Sequence, residues 1–162
     1  MTLPDKIKNF LNSANDVRLG YNGINFFNTD NISEGQVGYS IGNGGKSLIT
    51  DEEGSWQKEW LVIGWETLGG DPIMVDLSLP QFPVLSAMHG EGSWDPFIIA
   101  DNLDNFNNIL VLIKSISRNR TNPVEVQKNP ISYDERDTIL ASIQNENSVT
   151  EISYWETFLE ND

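Results

Sequence analysis

The only histidine of the chain, His89, is the first side chain to test for acid–base or metal chemistry. An imidazole can act as a general base, or bind a divalent ion, when carboxylates lie close to it. Asp71 and Asp76 precede His89, and Glu91 follows it. The chain has no second histidine to complete an H-x-x-x-H spacing. We therefore expect a His89-Gly90 turn whose ring bonds the backbone, and the alternative is a small-ligand or metal site at His89.

Other catalytic motifs are missing or incomplete. The chain has no cysteine, which excludes disulfides, thiolate zinc sites and cysteine nucleophiles. Ser86 and Ser93 flank His89, but neither lies in a G-x-S-x-G turn. Residues 42–47 resemble part of a phosphate-binding loop, but Ser40 stands where its first glycine is required. None of these motifs therefore identifies a catalytic site, and an enzyme that uses His89 with Asp71 or Asp76 stays an alternative.

The charge of the chain restricts its partners. Lysine and arginine number 10 and aspartate and glutamate 24, which gives a net charge of -14. Such a charge repels nucleic acid and anionic membrane surfaces, so we expect neither as a partner. The acidity either serves solubility or steers a basic protein partner toward the chain. Because cysteine is absent and the first residues lack the apolar core of a signal peptide, we expect a cytoplasmic location.

Tryptophan and acidic loop residues are the candidates for a protein interface, because tryptophan is enriched at binding hot spots. Trp60 and Trp65 are five positions apart on a predicted strand, so they point to opposite faces unless a bulge intervenes. Trp56 lies in a loop. From the loops beside the predicted sheet we select five candidate interface residues: Asp51, Glu52, Glu53, Trp56 and Glu91.

The elements that would position these residues alternate with turn signals. Short apolar runs recur about every ten residues, which favours antiparallel strands over helical crossovers. The predicted strands cover residues 24–27, 47–50, 60–65, 73–77, 84–88 and 96–100.

Helices are predicted on both sides of this strand-rich region, and residues 15–23 and 121–131 are predicted to be connectors. Ser132 and Glu135 form a capping box, Ser148 and Glu151 repeat the pattern, and Asp101 is a candidate cap. The order predicts one α+β domain over residues 1–162, with an antiparallel sheet that carries helices on one face. The predicted helices cover residues 3–14, 30–37 and 101–120, then 132 to about 145 and 148 to about 159.

A series of short motifs, most of them between Trp60 and Phe106, points to a known family. They are Leu3-Pro4-Asp5, Trp60-Leu61-Val62-Ile63-Gly64, Gly70-Asp71, Asp76-Leu77, His89-Gly90, Trp94, Ile99-Ala100-Asp101-Asn102-Leu103 and Phe106. In this order they resemble the SUKH superfamily, which includes the fungal Smi/Knr cell-wall assembly regulators and many bacterial toxin-immunity proteins. The resemblance covers roughly residues 3–113, but an acidic-leaning helix common in that group is absent or shortened here.

The resemblance implies a curved antiparallel sheet with helices on one face, a core of about residues 3–120 and a helical extension of about residues 132–160. It transfers no catalytic residue, and it implies a protein-binding module that is not an enzyme and has no cofactor. For a bacterial chain it implies an immunity protein that neutralises a cognate secreted toxin, often a nuclease. A basic toxin domain would suit the negative charge of this chain. The alternative implied by the fungal members is a regulatory adaptor of cell-wall assembly.

Overall fold

Six strands form a single curled antiparallel sheet, and they follow one another across the sheet in chain order. The computed structural model describes residues 1–162. Each strand pairs with its sequence neighbour, as the predicted ten-residue spacing requires. The strands are β1 (Val17–Leu19), β2 (Asn22–Phe26), β3 (Trp60–Glu66), β4 (Pro72–Asp76), β5 (Val84–Ser86) and β6 (Phe97–Ala100).

Five helices accompany the sheet, which confirms the predicted α+β class. None of them combines the length and the apolar character that a membrane crossing needs. Two 3₁₀ turns, Glu34–Gln36 and Asn43–Gly45, lie in the long segment between β2 and β3. The helices are α1 (Asp5–Ser13), α2 (Leu103–Ser117), α3 (Pro123–Lys128), α4 (Tyr133–Glu146) and α5 (Ile152–Phe158).

The two faces of the sheet are covered differently. The main core contains 26 buried residues, supplied by one face of the strands and by helices α1, α2, α4 and α5. A smaller core of five buried residues lies on the opposite face. Leu61 and Val75 form a register pair in the main core, and the next pair, Val62 and Met74, belongs to the smaller one. Helices therefore cover one face, and irregular loops cover the other.

Four sequence predictions of secondary structure are wrong. Residues 30–37 form no α-helix, and only the 3₁₀ turn Glu34–Gln36 lies there. Residues 15–23 are not a connector, because β1 and the beginning of β2 form a hairpin there. Residues 47–50 form no strand, and only an isolated bridge joins Ser47 to Ile41. Residues 121–131 contain α3, which begins after Asn122. These elements are three to six residues long, so their own sequence carries little periodicity.

The helix caps confirm one prediction and correct two. Ser132 and Glu135 form the predicted capping box. Asn102, not Asp101, caps α2, since its side chain accepts a hydrogen bond from the Asn105 backbone N–H at 2.8 Å. Ser148 caps no helix. Its backbone N–H instead donates to the Asp101 carboxylate at 2.6 Å.

Asp101 connects the end of β6 to the segment before α5. Its carboxylate accepts hydrogen bonds from the backbone and hydroxyl of Ser148, the backbone of Val149 and the hydroxyl of Thr150. Partial burial opposes ionisation of this carboxyl, but these donors outweigh it and lower the pKa of Asp101. The long-range contacts of Asp101 hold the C-terminal helices against the sheet.

The C-terminal helices are part of the main core. Trp155 of α5 is fully buried there, and its indole Nε1–H donates to the Ile99 carbonyl at 2.7 Å. Arg120, beyond the end of α2, is also buried and forms a two-pronged ion pair with Glu135 of α4, at 2.9 and 3.0 Å. The predicted extension of residues 132–160 thus packs on the same core as the strands.

Candidate functional site

Trp56 lies at the centre of an aromatic cluster on the loop-covered face. Its ring centroid is 5.1 Å from that of Tyr39, 5.4 Å from Trp60 and 5.2 Å from Trp94. The indole Nε1–H donates to the Trp60 carbonyl at 3.1 Å. Only 1% of Trp56 is exposed. Its selection as an interface residue is therefore corrected, since it offers a partner no surface and instead anchors the loops.

A bulge in β3 brings two tryptophans to this face. The pairing of β3 with β4 shifts between Val62 and Gly64, so the strand gains one unpaired residue there. Trp60 therefore points to the same face as Trp65, whose ring lies 4.9 Å from that of Phe27. Simple alternation of side chains along a strand would place the two tryptophans on opposite faces, and the bulge prevents this.

Gln36, which the sequence analysis did not single out, fastens the long loop to β3. Its buried side-chain Nε2 donates to the carbonyls of Ile32 and Val62, at 2.9 and 2.8 Å. Its Oε1 accepts from the Val62 N–H at 3.0 Å. One side chain thus satisfies both backbone groups of Val62 beside the bulge. No local sequence signal marks this contact, because Val62 is 26 positions away in the chain.

The loops held in this way carry the four other candidate interface residues, all exposed: Asp51, Glu52, Glu53 and Glu91. The Trp94 N–H donates to the Gly54 carbonyl at 2.7 Å, which joins the loop of residues 51–54 to the loop of residues 91–94. None of the four carboxylates lies within ion-pair distance of a basic group. We call these four residues the acidic loop surface.

The surroundings of the acidic loop surface lack positive charge. From Glu59 to Ile113 the chain has eight acidic residues and no lysine or arginine. Apolar side chains lie exposed on the long loop beside it, with 41% of Leu48 and 37% of Ile49 accessible. Apolar surface next to acidic groups is the composition expected of an interface for a basic protein. The absence of lysine and arginine from this stretch is a signal that the sequence itself carries.

His89 bonds a carboxylate, which corrects the expectation that its ring bonds the backbone. Its Nδ1 lies 2.6 Å from Asp71 Oδ1, and its backbone N–H donates to the same oxygen at 3.0 Å. Asp76 is occupied elsewhere, because it accepts from the backbone and hydroxyl of Ser78. No three histidine or carboxylate side chains are arranged to hold a metal ion. The Ser86 hydroxyl is buried and donates to the Pro72 carbonyl.

An open cleft of about 700 Å³ lies at the end of the sheet where β3 turns into β4, between that turn and α5. We call it the α5 cleft. Three acidic side chains line it, Glu66, Asp71 and Glu151, but no basic one. Its remaining lining residues are Asn22, Leu68, Gly69, Met88, Phe97, Ser153, Tyr154, Thr157 and Phe158.

Tyr154 is the unusual member of the α5 cleft. Its hydroxyl is buried and has no hydrogen-bond partner in the chain. Burial, and then the negative charges of Glu66 and Asp71, raise the pKa of Tyr154, so the hydroxyl keeps its proton. Sequence reasoning missed the cleft because its walls come from segments far apart in the chain, and only the packing of α5 beside the β3–β4 turn joins them.

Comparison of the chain with protein-family models, curated proteins and solved structures finds no significant match.

Proposed function

We propose that this chain is a non-enzymatic protein-binding module of the SUKH type, an immunity protein that acts in the cytoplasm and neutralises a cognate toxin with a basic surface. The observation that carries the proposal is the acidic loop surface. Its four exposed carboxylates have no basic partner, and they lie on two loops joined by the hydrogen bond between Trp94 and Gly54.

The loops are held in place before any partner arrives. Trp56 and its aromatic neighbours fix one side of the loop layer, and Gln36 fixes the other through Val62. A surface held in this way loses little conformational entropy on binding, which favours affinity. Unpaired acidic groups also speed the approach of a basic partner through long-range attraction. A nuclease toxin fits this description, because its phosphate-binding cleft must be basic.

The test uses the protein encoded next to this chain, which the proposal expects to be a toxin, with co-expression survival and affinity as readouts. The test variant carries Asp51→Asn, Glu52→Gln, Glu53→Gln and Glu91→Gln. The control variant removes four exposed carboxylates on the helical side: Asp134→Asn, Asp137→Asn, Glu156→Gln and Glu160→Gln. Both variants have the same net charge, so only the position of the lost carboxylates differs.

We expect the test variant to bind the toxin at least about tenfold more weakly and to lose protection, while the control changes affinity by less than about threefold. Equal losses in both variants would show that total charge, and not the acidic loop surface, matters. Failure of the unaltered chain to bind or protect against the neighbouring toxin would refute the immunity role. A neighbouring cell-envelope gene whose product binds this chain would favour the adaptor alternative.

A further inference from the structure

The α5 cleft combines apolar walls with acidic groups. Four apolar side chains line it, Phe97, Phe158, Leu68 and Met88. Leu68 and Met88 are largely exposed to solvent, with 63% and 59% of their surfaces accessible. These are among the most exposed large apolar side chains of the molecule. Exposed apolar groups that border a cleft are typical of a binding site.

The three carboxylates of the α5 cleft keep free acceptor capacity. Glu66 accepts the backbone N–H groups of Leu68, Gly69 and Gly70, and the Glu151 carboxylate accepts the Ser153 hydroxyl. A carboxylate offers about four lone-pair positions, so these contacts leave acceptors open. No lysine or arginine pairs with either residue.

Asp71 is shared with His89, which bonds only its Oδ1 oxygen. No group of three histidine or carboxylate side chains in the chain could hold a metal ion, so a metal site does not account for the acidic lining of the α5 cleft.

The Tyr154 hydroxyl supplies an independent sign of a ligand. It is one of only two buried side-chain polar groups without a hydrogen-bond partner in the chain. Its ring is fixed by Trp155, because the two rings meet edge to face at a centroid distance of 4.9 Å. The hydroxyl therefore cannot easily turn to another partner. A buried hydroxyl left without a partner lowers stability, so a ligand that bonds it gains affinity.

We propose that the α5 cleft binds an organic cation, an alkylammonium or alkylguanidinium group. Its N–H groups donate to the Tyr154 hydroxyl oxygen and to the carboxylates, and its aliphatic stem packs against Phe97 and Phe158. Hydrogen bonds between a cation and a carboxylate are stronger than neutral ones, so Glu151 and Asp71 favour a cation over a neutral alcohol. This site is separate from the acidic loop surface, and it does not depend on the proposed toxin.

The test is a two-dimensional amide NMR titration of the full chain. The first probe is agmatine, which carries an ammonium and a guanidinium on one aliphatic stem. The second is the capped peptide Gly-Arg-Gly, which presents the same guanidinium as a protein side chain. The third is 1-pentanol, which keeps an apolar stem but has no charge. We expect saturable shifts from agmatine at α5 and at the β3–β4 turn, and at least about tenfold weaker binding of 1-pentanol.

Binding of agmatine alone would identify a free amine as the ligand, and binding of the peptide as well would identify a side chain of a protein partner. Both results support the cation site. Absence of shifts from both cations, or equal affinity for 1-pentanol, would overturn it.

Variants test the named contacts. Tyr154→Phe keeps the packing against Trp155 and should weaken agmatine by about threefold or more, and Glu151→Gln should weaken it by about tenfold. Glu160→Gln, an exposed carboxylate outside the cleft, is the matched control and should leave binding unchanged. Unchanged affinity in both Tyr154→Phe and Glu151→Gln, with the fold intact by circular dichroism, would overturn the proposed contacts.

Discussion

The two faces of the sheet differ in the size of their cores and in what covers them. The helical face buries 26 residues in one core, and it holds the molecule together through close apolar packing. The loop-covered face buries five, and it relies on one central tryptophan and one buried glutamine to hold irregular backbone in place. The comparison teaches that one sheet can carry a large helix-covered core on one face and a small core that anchors loops on the other. We therefore expect substitutions in the helix-covered core to destabilise the whole fold, and substitutions in the small core to loosen mainly the loops.

The largest effect is expected on the helical face. Trp155→Ala removes a fully buried ring and its hydrogen bond to the Ile99 carbonyl. We expect a loss of about 4 kcal/mol in the free energy of unfolding, or failure to fold. Urea denaturation measures it. Trp155→Phe, which keeps most of the ring volume, should lose less and remain folded. A loss below about 1 kcal/mol in the alanine variant would contradict the central place of α5 in the core.

Trp56→Ala makes the matching cavity on the loop-covered face. We expect a loss of about 3 kcal/mol, because Trp56 is as fully buried as Trp155 but belongs to a smaller core. Amide hydrogen exchange should accelerate mainly in residues 27–59, while α2 keeps its protection. Equal acceleration on both faces would show that the two cores unfold as one unit, and the contrast between the faces would be lost.

Gln36→Leu tests the second anchor of the loops. The substitution keeps a similar volume but leaves the N–H and carbonyl of Val62 without the side-chain partner they have at 3.0 and 2.8 Å. We expect a loss of about 2 kcal/mol, since buried backbone groups lose their bonds. Thermal unfolding checks the value, and Glu34→Gln, an exposed change on the same 3₁₀ turn, is the control. An unchanged melting temperature would show that Gln36 does not anchor the loop.

Glu135→Gln should have the smallest effect, and that effect should depend on pH. Hydrogen bonds from Arg120, and then from the backbone of Ser132, lower the pKa of Glu135 to about 2. The pKa of this carboxyl in the unfolded chain is near 4.5, so the ionised carboxylate stabilises the fold fully above that pH. This contribution is lost as the pH falls from about 4.5 toward 2. Because the carboxylate is partly exposed, we expect only about 1 kcal/mol.

Urea denaturation at pH 7 and at pH 2.5 measures this contribution. The difference between the unaltered chain and Glu135→Gln should be present at the higher pH and largely absent at the lower one. Asp137→Asn, which removes an exposed carboxylate without a hydrogen-bond partner on the same helix, is the control for the loss of one negative charge. A difference that persists unchanged at low pH would assign the effect to packing instead of charge.

The sequence predicts the elements whose signals are local. β3, β4, β5 and β6 follow from apolar runs between turns, and α4 follows from its capping box. Prediction from the sequence fails where the partners of a side chain lie far away in the chain. Asp101 resembles a cap of the next helix, but its partners lie 47 to 49 positions away.

The candidate sites divide in the same way. The exposure of Asp51 and Glu91 follows from their polar loops, whereas the burial of Trp56 depends on three rings brought from other segments. The Tyr154 hydroxyl becomes distinctive only when α5 packs beside the β3–β4 turn. Local composition can indicate an acidic surface, but it cannot indicate which aromatic side chains remain accessible.

The contacts between β6 and the C-terminal segment have a consequence for self-association. An unprotected outer strand of a sheet invites pairing with another chain. Here the Ile98 carbonyl accepts the Glu151 N–H, and the Ile99 carbonyl accepts the Trp155 indole, so these acceptors on β6 are already occupied. Loss of the residues after 147 would free both acceptors and expose β6 to other chains. The C-terminal segment therefore also protects this edge of the sheet from pairing with a second molecule.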